Sequence, residues 1–413
     1  MTTPVPLKIF VYDNSGHPFQ AQLSRLLAKR GHHVLHGHCE AYQSGKGALA
    51  ASPGDTVRFT SIGAGSSIAK YSFVRRFLQE LRLGGELARL FRRHRPDVVL
   101  IANTPIPTLF VAVLWFAVSS TPWVLWHQDV YASAAGSFAA QRGSSVLRLA
   151  ARMIGAVEAW CARRATHVVV IADAFRAVHE EWGTLDKTTV ITNWAPVDEI
   201  VPKERNNTWA AEHGIDSGLT LLYSGTLGLK HNPTLLVSLA ARIQERGSAV
   251  RLVAVNEGPA VNVLRAEASA RGVPIVLLPF QPYQRLPEVL ASGDVLVVLL
   301  EPDASAFSVP SKALSYLCAG RPIVGLLPQS NAAADLLERA GSAVFAPVEA
   351  SIDAAASWVI SVWADPDRLE ALGAAARALA ETEFSPDQTV ARFEALLLSV
   401  AVKPGSAAAQ WAP

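Results

Sequence analysis

Short apolar runs alternate with amphipathic stretches from residue 8 onward, and the alternation predicts strands and helices in turn. Residues 8–12 read as a strand, 20–29 as a helix closed by Arg30-Gly31, and 33–35 as the next strand. Residues 98–102 form a nearly continuous β-branched run, the mark of a strand covered on both faces of a parallel sheet. The runs 123–126, 167–171 and 189–191 repeat the theme. Such alternation predicts a doubly wound α/β domain.

After Asn193-Trp194-Ala195-Pro196 the texture changes to a polar stretch, 203–207, which reads as a linker. A second α/β series follows, with strands expected at 220–223, 251–255, 274–278, 295–300, 323–326 and 343–345. A chain of 413 residues suits two or three domains. The expected division is therefore 1–198 and 199–384, then a helix over about 385–402 opened by Ser385-Pro386-Asp387, and a disordered tail over 403–413.

Half of the residues are hydrophobic, yet no apolar run reaches the eighteen needed to suggest a membrane span. The nearest, 109–118, is broken by Ser119, Ser120 and Pro122 and reads as a buried helix before a strand. Residues 1–6 lack the basic start of a secretory signal. Cys39, Cys161 and Cys318 have no metal spacing and suit a reducing, cytoplasmic compartment. A net charge of +2 argues against a nucleic-acid partner. Cations are concentrated all the same: Lys70, Arg75, Arg76, Arg82, Arg89, Arg92, Arg93 and Arg95 face only Glu80 and Glu86 in that stretch. A second basic stretch carries Arg142, Arg148, Arg152, Arg163 and Arg164 beside Leu147, Leu149, Met153, Ile154 and Trp160. Either these are amphipathic helices packed on a core, or they meet an anionic membrane peripherally at its inner face.

Ligands of open α/β sheets sit beyond the carboxyl ends of strands, so the loops after strands carry the candidate chemistry. The first reads Asp13-Asn14-Ser15-Gly16-His17-Pro18; Gly16 permits close approach, but the loop is not GxGxxG. In the second, His127-Gln128-Asp129, a histidine and a carboxylate could orient a sugar hydroxyl or share its proton, the alternative being a satisfied core histidine. The third, from Tyr223 to Lys230, offers Gly225 for backbone approach and Lys230 for phosphate oxygens, without the P-loop spacing. Glu257 lies in the fourth, and in the fifth a base could rest against Phe280 and Tyr283 beside Gln281. Residues 308–320 are the most informative. There Pro310-Ser311-Lys312 opens a helix, whose free N–H groups and macrodipole make a diphosphate seat and point to a nucleotide-sugar enzyme.

In order and spacing, YSGTLGLKHN from 223, NEGP from 256, LPFQPYQRLPEVLASGDVLVV from 278 and VPSKALSYLCAGRPIV from 309 resemble glycosyltransferase family 4. HQDVYASAA from 127 and NWAPVDEI from 193 resemble its bacterial exopolysaccharide members of the colanic-acid type. The resemblance implies a GT-B fold: two Rossmann-like doubly wound domains facing a cleft, with a C-terminal helix crossing back to the N-terminal domain. It implies a nucleotide-sugar donor on the second domain and a glycan or polyprenyl-linked acceptor on the first. Gly225 and Lys230 match the family's phosphate-binding loop, Ser311 and Lys312 its PSK turn, and His127 falls near its acceptor-side histidine.

Two positions depart from the pattern. Thr226 stands where many members have arginine, and a Glu-x7-Glu pair is replaced by Phe307 and Ser315. Ser315 can still meet a ribose hydroxyl, without charge assistance. The expected catalytic residues are His127, Lys230 and Lys312. Around the donor the expectation adds Gly225, Thr226, Glu257, Phe280, Gln281, Tyr283, Pro310, Ser311 and Ser315, and on the acceptor side Gly16, His17 and Asp129. The resemblance implies retention of anomeric configuration; no metal or cofactor is expected, since Asp365-Pro366-Asp367, the one Asp-x-Asp, reads as a helix cap. A nucleotide-sugar epimerase and a non-catalytic scaffold remain alternatives.

Overall fold

The computed structural model describes residues 5–42, 48–68, 72–215, 217–227, 232–258, 260–301 and 311–401. It divides into two units, Met1–Thr192 with Asp387–Pro413, and Asn193–Pro386.

The first unit is built on seven parallel strands: β1 (Lys8–Asp13), β2 (His33–Cys39), β3 (Arg58–Ile62), β4 (Val98–Ala102), β5 (Trp123–His127), β6 (His167–Val170) and β7 (Thr188–Val190). Their order is β3-β2-β1-β4-β5-β6-β7, so the winding reverses between β1 and β4. A crevice opens at such a reversal, beyond the carboxyl ends of the two strands. The helices α1 (Pro18–Lys29), α2 (Phe73–His94), α3 (Ile106–Ser119), α4 (Tyr131–Gln141) and α5 (Ser145–Arg164) cover the sheet. Every residue of β4 and β5 is buried, as continuous apolar runs require. Phe10, Phe91, Phe116 and Trp123 form a chain of ring contacts at 4.9, 5.2 and 5.1 Å that binds α2 and α3 to the strands.

The first half departs from its sequence pattern in four places. Strand β2 continues past Leu35 because His36 is buried as a neutral ring, its Nδ1 2.8 Å from Ser24 Oγ and its pKa lowered to about 3 by burial. The edge strand β3 carries Arg58, Thr60 and Ser61, and its polarity hid it. Helix α3 buries Leu109, Ala112, Val113 and Phe116 but leaves Leu114 and Val118 exposed, so the apolar run is covered on one side only. Arg142 follows α4 rather than joining the second basic helix, which starts at Ser145 with the Ser144 side chain accepting from Leu147 N.

The last helix, Pro386–Ala401, belongs to the first unit from Asp387 onward. Glu394 accepts from Arg30 Nη1 at 2.7 Å and meets His32 Nε2 at 3.0 Å, while Phe393 packs on Trp126 with ring centroids 4.6 Å apart. Among the described residues no helix is long and apolar enough to cross a membrane.

The second unit repeats the plan with β8 (Leu219–Ser224), β9 (Val250–Val255), β10 (Ile275–Leu278), β11 (Val295–Leu299), β12 (Ile323–Leu326) and β13 (Ala343–Phe345). The parallel order β10-β9-β8-β11-β12-β13 reverses between β8 and β11. Separate apolar clusters fill the two faces of this sheet. The polar stretch 203–207 is folded into this unit and is not a free linker. Arg205 pairs with the buried Asp294 at 3.1 Å and donates to the carbonyls of Ile215 and Gly218, while Asn207 caps the helix Thr208–Glu212. Its polarity serves internal bonds.

Candidate functional site

At the reversal point of the first sheet, side chains from three neighbouring strand ends converge. Asp13, fully buried at the end of β1, accepts from Ser15 N at 3.3 Å, from His17 N, and from Asn103 Nδ2 at 3.1 Å. Asn103 follows β4 in the left-handed region, φ +46°, and its Nδ2 also reaches Gln128 Oε1 at 3.1 Å and His17 Nδ1 at 3.0 Å. Gly16, at φ +72°, turns the chain so that His17 precedes α1 with its ring stacked on Phe19. The Nε2 of Gln128 is buried without a hydrogen-bond partner among the described residues. An unmatched donor at that depth suits an incoming hydroxyl. A crevice of about 20 Å³ beside it is lined by Asn103, Trp126, His127, Gln128, Asp129 and Tyr131 among others.

His127 lines the same crevice and is held from two sides. Its ring is buried, with Nε2 3.1 Å from Glu158 Oε1 and Nδ1 3.0 Å from His179 Nε2. His179 Nδ1 lies 2.9 Å from Thr184 Oγ1, and that hydroxyl donates to the His179 carbonyl at 3.2 Å. A single chain of bonds thus links His127, His179 and Thr184. Glu158 accepts from Tyr131 N at 2.9 Å and Ala132 N at 2.7 Å and also meets His127 Nε2. His179 is held neutral, its pKa lowered to about 3 first by burial and then by the charge of His127. Both nitrogens of His127 are occupied, and the amino end of α4 is already closed by Glu158. The ring is a pin between β5, α4 and α5.

At the reversal point of the second sheet the arrangement is different. Gly225 follows β8 at φ +144°, a conformation glycine favours, and its N donates to Val255 O at 3.0 Å. A Cβ there would lie 3.2 Å from Lys312 Cε and 3.3 Å from Nζ, so the two motifs singled out in the sequence touch. Lys312 lies on the helix Ser311–Ala319, its Nζ 4.3 Å from the Tyr223 ring centroid and hydrogen-bonded to the Tyr223 hydroxyl. Burial pulls its pKa down from 10.5 to about 7, and among the described residues no acidic group offsets that. One turn on, Tyr316 accepts from Ser224 N at 2.8 Å and donates to Ser224 O at 3.1 Å, fixing the helix to the end of β8. Asn256 Oδ1 accepts from Leu227 N at 3.1 Å, while its Nδ2 is buried without a partner among the described residues.

The remaining expected residues are distributed as follows. Thr226 is exposed and gives its carbonyl to the Tyr223 hydroxyl. Glu257 is exposed and accepts from Phe280 N at 3.2 Å, which joins the fourth loop to the fifth. The amide of Gln281 is engaged at both ends, accepting from Trp209 Nε1 and donating to Pro279 O. Tyr283 opens a short 3-10 turn, and Ser315 is half-buried on the Lys312 helix. Asp129 is half-buried at the rim of the first crevice. Asp365 caps the helix Pro366–Glu383 by accepting from Arg368 N. Lys70, Lys230, Phe307, Pro310 and the tail 403–413 lie outside the described residues, and of Ser311 only its place at the helix start is described.

Sequence reasoning missed Asn103, Glu158, His179, Tyr316 and Asn256. Tyr316 had a local signal, because a spacing of four puts it on the face of Lys312.

Two family models match the chain, one described as a glycosyl transferase 4-like domain over residues 16–194 and one as glycosyl transferases group 1 over residues 206–379. A search of curated proteins gave no match. Among solved structures, Anabaena Alr3699/HepE in complex with UDP and glucose aligns at TM-score 0.69 and 15% identity, over 95% of this chain and 100% of that one. Sucrose-phosphate synthase from Thermosynechococcus elongatus aligns at TM-score 0.70 and 14% identity, over 94% and 97%. WaaG, a glycosyltransferase involved in lipopolysaccharide biosynthesis, aligns at 0.65 and 15%, over 94% and 99%.

Proposed function

Since the chain belongs to the family-4-like glycosyltransferases of GT-B fold, we propose that it moves a sugar from a nucleoside diphosphate to a glycan or polyprenyl-linked intermediate of bacterial surface polysaccharide. The observation that carries the donor half is the contact between Gly225 and Lys312 at the reversal of the second sheet. Breaking the bond between the anomeric carbon and the diphosphate oxygen leaves negative charge on the diphosphate. A cation held beside a glycine turn, free of acidic partners among the described residues, suits that charge without a metal ion.

Lys312 is assigned to the leaving group together with Lys230 and the amide groups after Pro310. Thr226, Glu257, Phe280, Gln281, Tyr283, Ser311 and Ser315 are assigned to the rest of the donor. UDP in the HepE complex favours a uridine base. On the acceptor side, Asp13, His17, Asn103 and Gln128 are assigned to the incoming hydroxyl, with Gly16 and Asp129 at the rim. His127 acts through the loop it pins. Retention at the anomeric carbon follows from likeness to the family, as does work at the cytoplasmic face of a membrane.

Thermal shift against UDP-, GDP- and ADP-sugars tests the donor assignment, since a ligand that binds only the native state raises its melting temperature. A UDP-sugar is expected to give the largest shift, and Lys312→Met to abolish it while turnover falls about 100- to 1,000-fold. A variant that kept the wild-type shift would remove Lys312 from the donor site.

A further inference from the structure

The amino-terminal turns of α2 and α5 overhang the carboxyl edge of the first sheet. Thr108, in the first turn of α3, donates to Glu80 O at 2.8 Å, so residues 73–79 of α2 lie beyond the level at which α3 begins. On the other flank Phe110 of α3 packs on Trp160 of α5 with ring centroids 5.3 Å apart. Helix α5 starts fifteen residues earlier, so its first turns project about 15 Å past the start of α3 at 1.5 Å per residue. Both projections stand on the helical face of α3 and at the edge where Asn103 and Gln128 converge.

These ends are where the large apolar side chains are bare. Val74, Phe77 and Leu78 are 72%, 52% and 59% exposed on α2, and Val146, Leu149 and Met153 are 75%, 59% and 63% exposed on α5. Scattered exposed leucines need no explanation, but two clusters on helix ends that flank α3 do. The exposed charges on these two ends have one sign. Arg75, Arg148 and Arg152 are exposed, residues 142–157 contain no acid, and the acid that ends the α2 overhang, Glu80, is buried against Arg76 at 2.8 Å.

We infer that the overhanging ends of α2 and α5 form a docking surface for an anionic lipid bilayer, with the apolar side chains entering the headgroup layer and the arginines meeting lipid phosphates. Charge decides between this occupant and a second copy of the chain. A two-fold pairing would set arginines against arginines, whereas an anionic leaflet complements them. Docking there holds the acceptor crevice at the bilayer surface. The inference relies on the proposed function only in taking the acceptor to be lipid-carried; the docking itself is measured with neither donor nor acceptor, so lost transfer and lost docking are separate results.

Co-sedimentation of the full chain with phosphatidylcholine vesicles, with and without phosphatidylglycerol, tests it. Wild type is expected to bind the phosphatidylglycerol vesicles, and less so as salt rises. Arg148→Gln with Arg152→Gln should weaken partition about 25-fold, roughly fivefold per cation, and Phe77→Gln with Leu149→Gln by at least about tenfold. Val263→Gln, exposed on the second unit, should change nothing, and unchanged melting temperatures show that all variants fold. The inference fails if wild type ignores phosphatidylglycerol at low salt, if either double variant binds as wild type does, or if sedimentation velocity shows a lipid-free dimer that Phe77→Gln with Leu149→Gln dissolves.

Discussion

The two sheets share one winding, yet the polar groups at their strand ends are held in different ways. In the first, the ring of His127 at the end of β5 is bonded to Glu158, and the same carboxyl group closes the amino end of α4. In the second, Lys312 rests on Gly225 and Tyr223, and no acidic group pairs with it among the described residues. A topology therefore supplies a location, and its side chains decide whether the location is sealed or left ready for a charged guest. Charge that is balanced within the fold holds strands and helices together; charge that is left over favours an anion brought from outside.

Breaking the sealed side should cost most. Glu158→Gln disturbs the three buried bonds that the carboxyl group shares with His127, Tyr131 N and Ala132 N, and a loss of about 3–5 kcal/mol is expected in urea unfolding. Nucleotide affinity should stay unchanged; if affinity fell and stability did not, His127 would belong with the ligand-binding groups. Gly225→Ala probes the other side. The new methyl would crowd Lys312 in a backbone conformation alanine resists, so about 1–3 kcal/mol is expected to be lost. Here calorimetry should show weaker nucleotide binding, and equal affinity in the two proteins would deny any link between the glycine and the ligand.

The smallest effect is the pH dependence. A lysine whose folded pKa is about 7, against 10.5 ordinarily, is mostly neutral above pH 7 until an anion restores its proton. Nucleotide affinity should accordingly fall as pH rises above about 7, by no more than tenfold per unit, with proton uptake visible in buffers of different ionisation enthalpy. Stability moves the other way: between about 7 and 10.5 the unfolded chain holds more protons than the folded one, so folding strengthens as pH rises through that window. Lys312→Met should flatten both trends.

How much of this could be read beforehand differed between the two crevices. Strand Ile323–Leu326 matched its apolar run residue for residue, because burial on both faces leaves a continuous local signature, and the half-buried edge strand Ala343–Phe345 matched as well. Gly225 and Lys312 were legible too, since a glycine turn and a lysine at a helix start are short motifs with a mechanism. The partners of His127 were not. Glu158 and His179 lie 31 and 52 residues away, and each alone looks like an ordinary helical residue. Asn103 was missed for another reason: its importance comes from a left-handed backbone that bends it over Asp13, which neighbouring residues do not encode.

The return of residues 387–401 to the first unit also orders events in time. On a ribosome, the segment 193–386 can emerge whole and fold while the earlier sheet still waits for Phe393 to cover Trp126 and for Glu394 to reach Arg30. The half synthesised first is thus completed last, and until then its unfinished apolar surface is what a chaperone would meet.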